Sequence, residues 1–248
     1  MTNIWWEWPT RRTGFDELVV DFTIHNDVEL AERQGYYLML AFGSISDADF
    51  YFGIQTNVHS PIPPYTRGKA VIFSRWDERD LGLAKWDEMY GFAQSSGHEG
   101  DFIGVRRLYD WGIGDYRARL APEGLADEHG RWFSLWVTDL ATEVTTWVGS
   151  LRFPLVDRNA QITKSVYSTM EIYGAGPVRP IDLPVWHVSI APPRADGELS
   201  TWGVTSYSAF TDAVLNTEIY YDARANVVGM TAGGLTERKS KAGVVRFK

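Results

Sequence analysis

Short runs of alternating apolar and polar residues are the feature that most restricts the fold of this chain. The run 131–138, RWFSLWVT, places Phe133, Leu135 and Val137 on one side and tryptophans and hydroxyl residues on the other. The run 15–25 alternates in the same way. Because successive side chains of a strand point to opposite faces, each run predicts a strand with one face in a hydrophobic core.

Many other segments also have the character of strands. They are short, rich in aromatic and β-branched residues, and bounded by Gly, Pro, Ser or Asp. These segments are 36–43, 50–57, 69–76, 102–108, 115–120, 144–153, 165–173, 185–190, 218–222 and 243–247. No apolar stripe of useful length has helical spacing, and 81–91 is expected to be a short helix or a loop. Strands without intervening helices predict two packed antiparallel sheets.

This pattern continues through the chain, and no repeat, low-complexity linker or charge block marks a domain boundary. We therefore expect a single β-sandwich domain over residues 1–248, with a core at 15–190 and C-terminal strands in 200–248 completing the sheets. The tryptophan cluster at 5–8 is expected to pack on the domain. The stretch 230–241 is expected to be an exposed turn before the last strand.

Composition restricts the partners of this chain. The 24 Lys and Arg are outnumbered by 32 Asp and Glu, and the net charge of −8 argues against nucleic acid as a partner. There is no cysteine, which excludes disulfides and thiolate metal sites. No apolar run is long enough to cross a bilayer, so we expect a soluble protein with no membrane partner. The N-terminus lacks a secretion signal, which predicts a cytoplasmic protein, or an extracellular one if a leader has been removed.

The densest chemistry lies in residues 94–111, QSSGHEGDFIGVRRLYDW. A turn rich in Gly and Ser here precedes the strand 102–108, and turns that bring charged groups to a strand end often form sites. His98 and Glu99 in this turn are the candidate catalytic residues, because an imidazole titrates near neutral pH and a carboxylate can act as acid or base. Strand parity directs Arg106 outward, away from the core.

Five motifs in this order carry a resemblance to a known family. They are YFGIQ at 51–55, IFSRWD at 72–77, GHEG at 97–100, YR at 116–117 and WFSLW at 132–136. Over about residues 15–190 the chain resembles the domain-of-unknown-function 3472 family. The resemblance implies a β-rich domain similar to concanavalin-like lectin sandwiches, in a family whose members are often secreted and joined to carbohydrate-related modules. It implies no catalytic residues, and the lack of a signal peptide departs from the usual member.

The leading hypothesis is an all-β, two-sheet antiparallel β-sandwich, of jelly-roll or concanavalin-like type with few or no helices, that binds a carbohydrate or small polar ligand. Sugars stack on aromatic rings, while amides and guanidinium groups bond their hydroxyls. Gly104 is expected to let a ligand approach the backbone. The expected ligand-binding residues are Tyr51, Gln55, Trp76, Arg106, Trp132 and Trp136. The alternative is that these aromatic side chains lie in a second packed layer.

Two other functions stay open from the sequence. An enzyme acting on a glycan or a small metabolite would use Glu99, with His98, as acid or base. Cleavage by paired carboxylates needs a second acid, for which Asp77, Asp139 or Glu171 must approach in space. The E-x-D-x-x-E pattern of lectin-like glycosidases is missing. The remaining possibility is a structural or interaction module.

No cofactor or metal is expected. Calcium prefers clustered oxygen ligands, and 47–49, 77–80 and 99–101 offer carboxylates at close spacing, although none has the spacing of a calcium loop. The five histidines are scattered, with no H-x-H or H-x-x-x-H pair, so no transition-metal site is indicated. We expect these loop charges to be solvated. The sequence does not specify the oligomeric state.

Overall fold

The computed structural model describes residues 1–30, 34–59, 67–96, 100–174, 179–208 and 215–248. Within these residues the chain forms strands joined by loops and two single 3-10 turns, Leu81–Leu83 and Pro180–Asp182. The strands in chain order are β1 (Thr2–Glu7), β2 (Gly14–Phe15), β3 (Leu18–Ile24), β4 (Gln34–Ile45), β5 (Ala48–His59), β6 (Arg67–Trp76), β7 (Ala84–Lys85), β8 (Gly91–Ser96), β9 (Phe102–Leu108), β10 (Gly114–Asp127), β11 (Gly130–Asp139), β12 (Thr145–Phe153), β13 (Ile162–Thr163), β14 (Val166–Gly174), β15 (Trp186–Ile190), β16 (Arg194–Ala195), β17 (Glu198–Leu199), β18 (Trp202–Tyr207), β19 (Leu215–Asp222), β20 (Val227–Glu237) and β21 (Gly243–Arg246).

The strands pair into two antiparallel sheets. Sheet A has the order β21, β18, β1, β14, β4, β5, β6, β9, β8, and β13 joins β2 to β4 beside it. Sheet B has the order β19, β20, β15, β3, β10, β11, β12, β7, with β16 and β17 attached at β3. The expected all-β, two-sheet antiparallel sandwich is therefore confirmed. None of the helical turns in the described ranges is long and apolar enough to span a membrane.

The core lies between the sheets and follows the alternation in the sequence. In β3, every second residue from Leu18 to Ile24 is buried, and the residues between them are half-buried. In β11, Phe133 and Leu135 are likewise buried with no exposed surface. Burying a side chain of this size contributes about 1.5 to 3 kcal/mol. The inner face of each sheet is thus fixed by residues two apart along its strands.

The N-terminal tryptophans and the stretch 230–241 both belong to sheets, which the sequence did not predict. The N-terminal tryptophans lie in β1, which pairs with both β14 and β18, and the indole of Trp6 donates to Ser168 Oγ at 2.8 Å. Packing of this cluster on the domain was expected, but its place inside a sheet was not. The exposed turn expected at 230–241 is wrong, because β20 runs to Glu237 and its first half pairs with β15 and β19, burying Met230.

Sheet A is buried on part of its outer face as well. The side chains that point away from sheet B form a second apolar cluster, which consists of Tyr37, Met39, Val58, Ala70 and Ile72. Its members alternate along β4 and β6 with residues of the main core, such as Leu38 and Val71. Both faces of these central strands are therefore apolar, and two members of the second cluster, Tyr37 and Met39, line the site described next.

Candidate functional site

A cavity of about 330 Å³ opens on the outer face of sheet A. It lies over the central strands β14, β4, β5 and β6, where the second apolar cluster comes to the surface. Its lining consists of Tyr37, Met39, Phe42, Tyr51, Gln55, Trp76, Tyr167, Glu171 and Tyr173. Six of these nine side chains are aromatic, so the cavity offers several ring faces together with one amide and one carboxylate.

Strand register brings the amide and the carboxylate to either side of one tyrosine. Tyr37 on β4 pairs with Gln55 on β5 and with Glu171 on β14. Residues paired across antiparallel strands point to the same face, so the three side chains form a row along the cavity floor. This row brings together a carboxylate, a phenol and an amide that lie far apart in the sequence.

Aromatic contacts build the walls of the cavity. Tyr51 lies edge-on to Tyr37, with ring centroids 5.8 Å apart, and tilted against Trp76 at 6.1 Å. Across the cavity, Phe42 stacks on Tyr167 at 4.9 Å. Rings that pack on one another in this way are held in place and still offer their other faces to a ligand.

Several buried polar atoms at this site have no hydrogen-bond partner among the described residues. These atoms are Tyr37 Oη, Ser74 Oγ, Trp76 Nε1 and Arg106 Nη1. Leaving one buried donor or acceptor unsatisfied costs about 1 to 3 kcal/mol. Four such groups on one patch of one sheet need an explanation, and a polar ligand or ordered water that bonds to them supplies it.

Arg106 lies beside the cavity, outside its lining. Its guanidinium is 5.8 Å from the ring centroid of Phe92 and runs over Gly104, where a Cβ atom would come within 3.4 Å of Nη1. The space above Gly104 is also taken by Ser74 Oγ, so the expected approach of a ligand to the Gly104 backbone is not what this glycine provides. A Cβ atom at 104 would come within 2.5 Å of Ser74 Oγ, so this glycine makes room for the Ser74 hydroxyl.

Burial shifts the pKa values of Arg106 and of the tyrosines around the cavity. It lowers the pKa of Arg106, and the neighbouring phenols, that of Tyr51 first among them, oppose this shift. Burial raises the pKa of Tyr37 well above its ordinary value and that of Tyr173 to about 12. The phenols are therefore neutral at physiological pH, and each can both donate and accept a hydrogen bond.

The predicted ligand-binding residues divide between the two sheets. Tyr51, Gln55 and Trp76 line the cavity, and Arg106 lies beside it. Trp132 and Trp136 do not join them, because β11 belongs to sheet B and their side chains point out of the opposite side of the sandwich.

Each of these two tryptophans lies beneath a cation. Lys85 Nζ is 4.0 Å from the ring centroid of Trp132, and the Arg119 guanidinium is 5.1 Å from that of Trp136. These ring faces already have a partner within the chain. The structure therefore does not bring Trp132 and Trp136 together with the other predicted ligand-binding residues. Their outward direction agrees with the alternation in the sequence.

The candidate catalytic residues Glu99 and His98 lie outside the described residues. Beside them, Asp101 is exposed and forms an ion pair with Arg79 at 3.2 Å. Among the calcium candidates, Asp49 accepts a hydrogen bond from Ser44, and Asp80 accepts one from the backbone of the following 3-10 turn. Within the described ranges, no three or more His, Asp or Glu residues cluster as metal ligands do.

Three residues of the cavity floor and wall were missed or left open by the sequence. Tyr37 lies in an apolar run whose two faces look alike, so parity gives no signal for it. Tyr173 ends a predicted strand, and its hydroxyl donates to Asn57 O at 2.8 Å, a contact that only the fold creates. Glu171 was named only as a carboxylate that needed a partner in space.

Comparison with known proteins adds little to this geometry. No protein-family model matches the sequence, and no curated protein does. Two solved structures of scytalido-glutamic peptidase are similar to this chain. The one with a peptide based transition state analog is 10% identical with a TM-score of 0.44, and the one with a transition state analog inhibitor is 8% identical with a TM-score of 0.43. Each match covers 92% of this chain and 95% of the other.

The resemblance to the domain-of-unknown-function 3472 family stays a prediction from its motifs. We therefore infer function from the residues of this chain alone.

Proposed function

We propose that this protein binds a carbohydrate, or a similar polyhydroxylated ligand, in the cavity on the outer face of sheet A. The observation that carries the proposal is that aromatic walls and buried polar atoms without a partner in the described ranges meet at one place. An apolar pocket with a few convergent polar groups is the usual form of a small-molecule site.

The lining suits the two kinds of surface that a sugar presents. The rings of Tyr51 and Trp76 offer flat faces to its C–H groups. Gln55 can both donate to and accept from hydroxyl groups, and Glu171 can accept from them. A hydroxyl group that bonds to Tyr37 Oη also satisfies a buried atom that lacks a partner within the described chain.

The size of the cavity limits the ligand. Its volume of about 330 Å³ lies near the lower end of the range for small-molecule sites, about 300 to 1,000 Å³. We therefore expect recognition of one or a few sugar units, either free or at the end of a longer glycan. The negative charge of the chain favours a neutral ligand over a strongly anionic one.

A glycan array followed by calorimetry on the hits tests this proposal, with a matched pair of tryptophan variants. Trp76→Ala should weaken binding at least tenfold, about 1.4 kcal/mol, because it removes a wall of the cavity. Trp136→Ala removes a half-buried tryptophan of the same kind from sheet B and should leave affinity unchanged. Thermal melting of both variants shows that each is folded. The proposal fails if broad libraries give no binding, or if the two variants weaken binding equally.

A second candidate function is catalysis at the same cavity. The observation that favours it is Glu171, which pairs with Tyr37 on the side of that strand opposite to Gln55. A carboxylate among aromatic rings is a candidate acid or base. It is the only carboxylate in the described lining, whereas glycoside cleavage by the usual mechanism needs two.

Mass spectrometry of bound glycans after long incubation separates binding from turnover. If the protein is an enzyme, Glu171→Gln should abolish product formation and retain most of the affinity. If the wild-type protein leaves the glycans unchanged, catalysis is ruled out for those glycans and binding is the remaining function.

A further inference from the structure

A second group of chemically active side chains lies on the outer face of sheet B, on the opposite side of the sandwich from the cavity. His25 directly follows β3, and His187 lies in the neighbouring strand β15. Their imidazole rings are stacked, with centroids 4.2 Å apart and planes inclined by 21°. The sequence gives no sign of this pair, because the two residues come from distant parts of the chain.

Each imidazole also has a hydroxyl group beside its Nε2 atom. His25 Nε2 is 2.9 Å from Ser189 Oγ, and His187 Nε2 is 2.9 Å from Tyr220 Oη. Two ring nitrogens and two oxygens therefore lie within one patch formed by the end of β3, β15 and β19. Imidazole nitrogen and phenol oxygen are both ligands that divalent transition metals accept.

A glycine on the strand between them allows Tyr220 to reach this patch. Tyr220 on β19 pairs with Gly229 on β20, and Gly229 pairs with Ser189 on β15. The phenol ring lies over Gly229, in the space that a Cβ atom would occupy. Any larger residue at 229 would displace the ring, so the glycine permits the phenol oxygen to approach His187.

The backbone around the two histidines is well fixed. His25 N donates to His187 O at 3.0 Å, and His187 N donates to the side chain of Asn26 at 2.8 Å. These two hydrogen bonds fix the positions of the two histidines relative to each other.

We propose that His25 and His187 form a binding site for a divalent transition-metal ion such as Zn²⁺, with the hydroxyl of Tyr220 as a third ligand. The described chain offers no cluster of three His, Asp or Glu residues, so this site has two imidazoles and leaves coordination positions for water. We expect weaker binding than at a closed four-ligand structural zinc site. Binding of one ion by both imidazoles requires each Nε2 atom to exchange its contact with a hydroxyl group for the metal.

Calorimetric titration of the untagged full-length protein with Zn²⁺ tests this site. We expect one ion to bind per chain, and His25→Ala and His187→Ala each to weaken binding about tenfold or more, since even the loss of an outer-shell partner costs 10- to 100-fold. His129→Ala is the matched control, because this histidine has a side chain 71% exposed and lies elsewhere on the surface. It should bind as the wild type does.

Thermal melting gives a second measurement. Zinc should raise the melting temperature of the wild type and of His129→Ala, because a ligand that binds only the folded state stabilises it. The double variant His25→Ala, His187→Ala should show no such shift, and Tyr220→Phe should show a smaller one. Saturable binding that persists in the double variant would place the ion elsewhere and overturn the proposal. Absence of saturable binding to the wild type would also overturn it.

Discussion

The outer faces of the two sheets carry similar residues, but the side chains differ in whether they have partners within the described chain. Each face displays half-buried tryptophans beside arginines of the adjacent strand. On sheet B the ring of Trp136 has the Arg119 guanidinium over it, and Arg119 Nε donates to Glu17 at 2.6 Å. On sheet A the indole nitrogen of Trp76 and one guanidinium nitrogen of Arg106 have no partner among the described residues.

The ion pairs of the charged residues differ between the two faces in the same way. On sheet B, Asp21 accepts hydrogen bonds from Arg117 at 2.6 Å and from Arg194 at 2.8 Å, which makes it a shared partner of two cations. On sheet A, Arg106 has no ion pair with any acid in the described ranges, although burial lowers its pKa. Asp21 on sheet B is therefore paired with cations within the chain, whereas Arg106 on sheet A is paired with no acid of the described ranges.

This difference distinguishes the surroundings of Asp21 and Trp136 on sheet B from the cavity on sheet A, where we propose that a ligand binds. Unsatisfied buried groups lower stability, so they are expected where a ligand later satisfies them. Aromatic content alone does not distinguish the two faces. Two pairs of substitutions and one single substitution test the contrast.

The largest effect is expected at Arg106. Arg106→Met replaces a buried cation by an apolar side chain of similar length and should raise the free energy of unfolding by about 1 to 3 kcal/mol without ligand. Urea unfolding at neutral pH measures it. The matched change on sheet B, Arg117→Met, removes a partner of Asp21 from a site that is 42% exposed, and should lower stability by less than about 1 kcal/mol. A stability loss in Arg106→Met would mean that this guanidinium is already satisfied.

An intermediate effect is expected at Asp21, and it should depend on pH. Burial raises the pKa of Asp21, but hydrogen bonds from Arg117 and Arg194 outweigh it, so the pKa lies below 3.8. Asp21→Asn should cost about 1 to 2 kcal/mol at pH 7.

The sign of the pH dependence follows from the lowered pKa of Asp21. The carboxylate is stabilised in the folded state, so its contribution is complete above about pH 4 and is lost as the pH falls through the folded pKa. The stabilities of wild type and variant should therefore converge as the pH falls below about 4. A difference that stays constant as the pH is lowered would contradict the role of this ionised carboxylate.

Much of the fold could be predicted because strand parity is a local property. In β9 the parity that directs Arg106 outward also directs Ile103 and Val105 inward, and both are fully buried. The sheet to which a strand belongs could not be predicted from parity, because it depends on strand order. Trp76 and Trp132 have the same local pattern, yet β6 belongs to sheet A and β11 to sheet B.

The candidate site was predictable only in part for the same reason. Outward aromatic and amide residues of β5 and β6 were found from alternation, because one face of each strand is plainly apolar. The row of Glu171, Tyr37 and Gln55 arises from pairing between strands that are distant in sequence. So does the stacked pair of His25 and His187. No local pattern contains either arrangement.

The smallest effect is expected at two neighbouring tyrosines on opposite faces of β4. Tyr36 faces the core, and its hydroxyl donates to Pro184 O at 2.8 Å and lies 3.3 Å from Ala232 O. Tyr36→Phe should therefore lower the free energy of unfolding by about 0.5 to 1 kcal/mol. Tyr37→Phe removes a buried hydroxyl without a described partner, so stability without ligand should stay equal or rise slightly, while glycan affinity falls. Urea unfolding and calorimetry measure the two. Equal stability losses would show that the hydroxyl of Tyr37 is satisfied within the chain, and the outer face of sheet A would then be an ordinary second core.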